Sequence, residues 1–318
     1  VQAAGYHDAK PAFVGRGVAV GDRGAGGGQA NAAVTLRPDG RVILGTPVFD
    51  QGSGTYTTLR QVVAEELHIP PGQIEVEAWD TDSVPFDAGV AGSRQTRIAT
   101  QVAYQAAQET KKALLALTAR TLGWPEARLS LRGGAIWRAD TEEKIAWREV
   151  LSRAGERVKG EAHIADMERL HFTSFIAQVA EVSVDPETGE IKLLKFTTAH
   201  DVGQIMNPIG HQGQINGGVL QGVGYALMEE LRVEDGRVTN PSFGDYKIPT
   251  TRDLPELRTV LLPAERGIGP YNIKAIGEHP TIPVAPAIIN AIHDACGVRI
   301  RDLPATAEKV YRELRSKG

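Results

Sequence analysis

Apolar residues along this chain recur at two spacings, and each change of spacing marks a new element. The short runs "AFVGRGVAV" and "ANAAVTL" read as strands, and the Pro-Asp-Gly of "RPDGRVILGT" predicts a turn into a third. The period then lengthens: Leu59, Val62, Val63 and Leu67 share one face of a helix that two prolines end. "QIEVEAW" returns to strand spacing, and "DTDSVPFDAGVAGSRQT" is a loop of turn formers. An alanine-rich helix is predicted from Arg97 to Leu122, with Ala103, Ala106, Ala107, Leu114 and Leu117 along one face. "AGERVKG" interrupts the pattern after a short helix. Beyond it, the alternating hairpin "FIAQVAEVSVDPETGEIKLLKFTTAHDVG" turns at "DPETG". Helices are then predicted over "GQINGGVLQGVGYALMEEL", from about Ala285, and over "TAEKVYREL". The order implies an α+β fold of two α+β subdomains, residues 1–158 and 159–318.

The glycines of "GQINGGVLQGVGYALMEEL" stand out, because each costs a helix interior about 1 kcal/mol relative to alanine. Their clustering predicts close packing against another backbone or a cofactor. Composition narrows the function classes. With 318 residues, 42% hydrophobic and 23% charged, the chain can bury a substantial core. A net charge of -4 argues against nucleic acid or an anionic membrane as partner. No apolar run reaches the roughly 18 residues of a membrane span, and a cytoplasmic location is expected. The first residues, "VQAAGYHDAK", lack an initiator methionine and a signal-peptide layout, and read as the inside of a longer chain. Cys296 stands alone, which excludes an internal disulfide and a four-thiolate cluster. His163 and His171, and His200 and His211, are not spaced as metal pairs, so no metal ligand is assigned.

Three loops are candidates for chemistry: "DQGSGT" from Asp50, "AGSRQT" from Ala91 and "GHQGQINGG" from Gly210. Each leads into a predicted helix, so each offers backbone N–H groups and the positive end of a helix dipole to an anion. The run "GDRGAGGGQANA" imitates a nucleotide fingerprint but joins two strands instead of opening a helix, and Gln29 holds the sixth position of the frame begun at Gly24. It reads as a connecting loop.

Taken in order, these stretches resemble the molybdenum-binding subunit of the xanthine dehydrogenase and aldehyde oxidase family of molybdenum hydroxylases. The likeness is most specific in "AQVAEVSVDPETGEIKLLKFTTAHDVGQIMNPIGHQGQINGGVLQGVGYALMEEL" and "KAIGEHPTIPVAPAIINAIHDACGVRIRDLPATAEKV". It covers the second half of that family's molybdenum region. By that resemblance Gln51, Gly52, Ser53, Gly54 and Thr55 form a loop around the pterin of molybdopterin. Gly92, Ser93, Arg94 and Thr96 form a second pterin or dinucleotide loop, and Gln214 lies beside the pterin. Ser53 departs from the family's usual glutamine. Arg94 has two readings, a phosphate of the cofactor or an ion pair with Asp87.

The same resemblance makes Glu278, in "AIGEHP", the general base beside molybdenum. With redox work carried by the metal, the protein need supply one proton acceptor. Apolar neighbours Ile276, Ile282, Pro283 and Val284 are expected to raise its pKa, and Lys274 to oppose that if it points the same way. The competing reading, a cap for the helix near Ala285, puts the two seven positions apart, too far for a capping box. His200 and His279 are expected to be structural. The resemblance implies hydroxylation of an aldehyde or N-heterocycle with water-derived oxygen. The cofactor would be molybdopterin in its cytosine dinucleotide form, with FAD and [2Fe–2S] on partner subunits or domains. A separate subunit or missing N-terminal segment would supply the other half of the site. A carbon monoxide dehydrogenase-type member and a non-catalytic assembly subunit are the alternatives.

Overall fold

The computed structural model describes residues 1–82, 84–166, 174–262, 267 and 269–316; His171 and the loop residue Ser83 lie outside them. The strands and helices run in the order β1 (Val14–Arg23), β2 (Gly28–Leu36), β3 (Val42–Thr46), α1 (Thr55–Leu67), β4 (Ile74–Ala78), α2 (Thr100–Leu122), β5 (Leu129–Arg132), β6 (Ala135–Arg138), β7 (Lys144–Ala146), α3 (Trp147–Ala154) and β8 (Val158–Asp166). They continue as β9 (Ser174–Val184), β10 (Ile191–Asp201), α4 (Pro208–Leu227), β11 (Val233–Glu234), β12 (Arg237–Val238), β13 (Glu256–Leu262), α5 (Val284–Cys296) and α6 (Ala307–Ser316).

Two four-stranded sheets organise these elements, one in the order β4-β3-β2-β8 and one in the order β1-β9-β10-β13. The first shares a core with α1 and α2, where Leu44, Leu59, Ile98 and Leu114 are fully buried. The second shares a core with α4, α5 and α6, centred on Phe196, Val219 and Ile288. The α+β fold is as expected, but strand membership does not follow the 158/159 boundary. Strand β1 lies in the second sheet, antiparallel to β9 along its whole length. Strand β8, which begins at Val158, lies in the first sheet against β2. Alternation marks a strand in sequence without naming its partner. The small sheet β5-β6-β7 has strands of three or four residues, too short to carry a period.

Close approach explains several glycines. A Cβ on Gly15 or Gly17 of β1 would lie 2.0 Å from the Ala291 carbonyl oxygen or 2.1 Å from that of Ala287, so α5 rests directly on the β1 backbone. In α4, a Cβ on Gly218 would come within 2.9 Å of Pro280, and one on Gly222 within 2.5 Å of Val284. Close packing is found at these two positions, but against the side chains of Pro280 and Val284 rather than the expected backbone or cofactor, where α4 receives the turn bearing Glu278 and the start of α5. Gly213 and Gly217 meet nothing within 4 Å.

That turn is pinned from below by polar side chains. Gln178 Nε2 donates to the Pro280 carbonyl at 2.7 Å and to Thr198 Oγ1 at 3.1 Å. Thr198 Oγ1 lies 2.6 Å from His200 Nε2, and Tyr225 donates its hydroxyl to the Thr281 carbonyl at 2.8 Å. His279 Nε2 donates to the Arg23 carbonyl at 3.0 Å, joining the turn to the end of β1. Both rings are fully buried. Burial, aided by the nearby His211 and His279, pulls His200 down to about 3; burial pulls His279 down to about 4. Each therefore folds as a neutral ring.

Two stability measurements follow. Gly17→Ala is expected to destabilise the chain by roughly 1–3 kcal/mol through overpacking, whereas Gly217→Ala, in open helical space, is neutral or stabilising; urea midpoints read both. Histidine in the unfolded chain titrates near 6.5, so the unfolded state takes up protons first as pH falls. The contribution of the neutral rings is intact above that pH and is lost progressively toward about 4 for His279 and about 3 for His200. The urea midpoint should fall between pH 7 and pH 4, less steeply in His200→Gln.

Candidate active site

The loop before α1, the loop before α2 and the first turns of α4 converge on a cavity of about 320 Å³. Its wall includes Gln51, Ser53, Thr55, Gly92, Ser93, Arg94, Thr96, Gln214 and Glu278. Sequence spacing thus located loops that the fold brings together from both sheets. Gly52 and Gly54 shape the first loop from behind, with φ of +100° and +80° that only glycine adopts freely. Side chains that the sequence reading did not single out also face the cavity, among them Gln95, Gln204, Met206 and His211. His211 lies in the candidate loop from Gly210, and Gln204 in the stretch that carries the resemblance, but the fold is what turns both toward the cavity.

The first loop is organised by Asp50. Its carboxylate accepts from the N–H groups of Gly52 at 2.9 Å, Gly54 at 3.2 Å and Tyr56 at 3.2 Å. Those amides, expected to be free for an anion, are therefore satisfied within the chain, and the loop offers side chains instead. Ser53 Oγ and Thr55 Oγ1 lie 2.9 Å apart.

The second loop is organised by Arg94. Its guanidinium donates to the carbonyls of Gly27 at 2.9 Å, Gly89 at 2.5 Å and Gln29 at 2.6 Å, and pairs with Asp87 at 3.4 Å. Arg94 and Asp87 are both buried, so of its two readings the ion pair is the one observed, although not at the surface. Of the run "GDRGAGGGQANA", only residues 24–27 connect the strands; residues 21–23 belong to β1 and residues 28–32 to β2, a correction to the expected loop, and the Gly27 and Gln29 carbonyls of this run receive Arg94. Residues Gln95–Ala99 form a π-helical turn before α2, a feature frequent at functional sites. Ser93, just ahead, holds φ at +58°, the left-handed region that a serine rarely enters.

On α4, Asn207 caps the helix by accepting from the Gly210 N–H at 3.1 Å. Gln214 faces the Glu278 turn: a Cβ added at Gly277 would lie 3.3 Å from Ser93 Oγ and 3.8 Å from Gln214 Oε1. His211 is held below its ordinary pKa by burial, so it borders the cavity as a neutral ring.

Glu278 caps no helix with its side chain; it precedes the short turn His279–Thr281. Its carboxylate accepts from Arg23 Nη2 at 2.9 Å on both oxygens, and Oε2 also accepts from Ser93 Oγ at 2.7 Å. Burial pushes its pKa up, but the bonds from Ser93 and Arg23 outweigh that and leave it below the ordinary carboxylate value. The expected rise is thus reversed. The apolar neighbours are there, with Ile276 and Val284 buried, yet half of the Glu278 side chain remains exposed. Nor is Lys274 the opposing cation, because it pairs with Asp201 at 2.6 Å. Arg23 is 255 positions from Glu278, beyond the reach of any local sequence pattern.

Residues 4–255 match the family described as the molybdopterin cofactor-binding domain. The chain is 31% identical over 300 residues to the xanthine dehydrogenase molybdenum-binding subunit of Escherichia coli O157:H7, covering 91% of this chain and 40% of that protein. It is 31% identical over 308 residues to the aldehyde oxidoreductase molybdenum-binding subunit PaoC of the same organism, covering 95% of this chain and 41% of the relative. Among solved structures, reconstituted CO dehydrogenase from Oligotropha carboxidovorans superposes with a TM-score of 0.85 at 25% identity, covering 96% of this chain and 41% of that one. The chain thus spans about two fifths of the length of the relatives it matches. Convergence of the loops and Glu278 on one cavity agrees with this match over most of the sequence: the chain belongs to the molybdopterin cofactor-binding domain family, the family of xanthine dehydrogenase and aldehyde oxidoreductase molybdenum-binding subunits.

Proposed function

We propose that this chain forms one wall of the molybdopterin site of an oxidoreductase that hydroxylates an aldehyde or N-heterocyclic substrate with water-derived oxygen. The observation that carries this reading is the half-exposed carboxylate of Glu278 on the same cavity as both pterin-type loops and Gln214. The donor set fits such a cofactor. Among the described residues no group of three His, Cys, Asp or Glu side chains can hold a metal ion, so a metal would have to arrive on ligands of its own. Molybdopterin, when bound, supplies a redox-active molybdenum on its own sulfur ligands. The cavity supplies neutral hydrogen-bonding side chains, suited to a heteroatom-rich ring system.

In this reading Gln51, Ser53, Thr55, Thr96 and Gln214 hold the pterin, with the backbone at Gly92 and Ser93. Gly52 and Gly54 set the shape of the first loop, and Arg94 fixes the second loop in place without itself reaching a phosphate. Glu278 takes one proton from the attacking oxygen as the substrate carbon is oxidised. The cytosine dinucleotide form of the cofactor, FAD and [2Fe–2S] modules that accept the electrons, a companion segment or subunit closing the other half of the site, and a cytoplasmic setting complete the proposal. Among the described residues no helix is long and apolar enough to cross a membrane. The fold match to CO dehydrogenase favours a second reading, a carbon monoxide dehydrogenase-type reaction at the same cavity.

Metal analysis of the protein purified with its native partners is expected to find molybdenum, and its absence would sink the enzyme reading in favour of an assembly role. Glu278→Gln is expected to lower turnover by several orders of magnitude while molybdenum is retained. Near-normal turnover in that variant refutes the proton-acceptor assignment.

A further inference from the structure

We propose that Arg23 and Ser93 are the positioning residues of Glu278, clamping its carboxylate in one orientation from two separate parts of the fold. The inference rests on Glu278 being the proton acceptor. Ser93 Oγ accepts from the Glu278 N–H at 2.9 Å while donating to Oε2 of the same residue at 2.7 Å. One hydroxyl therefore bridges the main chain and the carboxylate of Glu278, closing a ring that fixes the side-chain torsions between them. Such a bridge requires Ser93 to sit where it does, and its left-handed backbone is a cost the loop retains at this position. From the other side, Arg23 Nη2 lies 2.9 Å from each oxygen, centred on the carboxylate. Arg23 is itself fixed at the end of β1, where His279 donates to its carbonyl.

The other charged or titratable groups around this carboxylate are engaged elsewhere. Lys274 is paired with Asp201, the Arg94 guanidinium points to Asp87 and three carbonyls, and His279 turns its Nε2 to the Arg23 carbonyl. His211 is a neutral ring in the same cavity. Among the described residues Arg23 is the cation that faces Glu278, and its pull, with the Ser93 bond, opposes the effect of burial.

The two oxygens are not equivalent. Among the described residues Oε2 accepts from both Ser93 and Arg23, whereas Oε1 accepts from Arg23 alone. The clamp assigns the incoming proton to Oε1: an O–H bond forms there as the donor oxygen loses its own, and Ser93 keeps its bond to Oε2 throughout. Arg23 keeps the acceptor ionised in the resting state at some loss of basicity, and Ser93 keeps it aimed.

The test uses the assembled enzyme with Arg23→Gln, Arg23→Lys and Ser93→Ala, each checked for molybdenum content. In Arg23→Gln the acid limb of the kcat/KM profile should move to higher pH, so that kcat/KM at pH 5 falls about fivefold more than at pH 8. Arg23→Lys keeps the charge but not the centred contact, and should keep the limb while kcat drops about tenfold. Ser93→Ala should lower kcat about tenfold with little change in KM. Infrared titration of the carboxyl stretch, in difference against Glu278→Gln, reads the ionisation of Glu278 without turnover and should report the same upward displacement in Arg23→Gln. Wild-type profiles and an undisplaced infrared titration in these variants, with Glu278→Gln inactive, would overturn the clamp and leave the proton-acceptor reading standing. An active Glu278→Gln would remove that reading instead.

Discussion

The contact between α5 and the backbone of β1 sets the geometry of the site. Gly15 and Gly17 let the carbonyls of Ala287 and Ala291 approach to a distance that any side chain would block. Strand β1 ends in Arg23, and α5 begins just after the turn that carries Glu278. Seating one on the other therefore fixes both ends of the Arg23–Glu278 pair at once. The small residues of α4 add a second seat, so the turn lies between two helices and a sheet with little freedom to relax. A carboxylate on so constrained a turn can be aimed by a few hydrogen bonds, because the scaffold has already removed most of its alternatives.

The site has an unusual distribution of charge. Its loops are organised by the side chains of Asp50, Arg94 and Asp87, whose hydrogen bonds go mainly to backbone groups. What faces the cavity is mainly neutral: amides, hydroxyls and an uncharged imidazole. Among the described residues Arg94, Lys274 and Glu278 are the charged exceptions, and each is already paired. A site of this kind presents directional contacts with small net charge, so an occupant is selected by the pattern of its donors and acceptors more than by its overall charge.

Much of this was legible in the sequence, for identifiable reasons. Helices with strong 3.6-residue periodicity, such as α1 and α2, were read nearly to their ends, and α4 began a turn earlier because Asn207 and Pro208 make a cap and first turn ahead of the apolar stripe. The loops were visible through their glycines. Asp50 carries a local signal of its own, an aspartate two and four residues ahead of the glycine amides it receives. Arg23 was invisible, since its partner is reached only through the tertiary fold. The pKa of Glu278 was misjudged for that reason: local apolar neighbours pointed one way, and a distant arginine with a strained serine pointed the other.

The exchange of β1 and β8 between the two sheets gives the chain an interlaced topology. The chain crosses between sheets after β1 and again after β8, so no single cut separates the units cleanly. A break at 158/159 would leave β2 without β8 and β9 without β1, and each fragment would expose an unpaired strand edge of the kind that templates aggregation. The two sheets therefore depend on each other for their completeness: a cut at that break removes a strand from both.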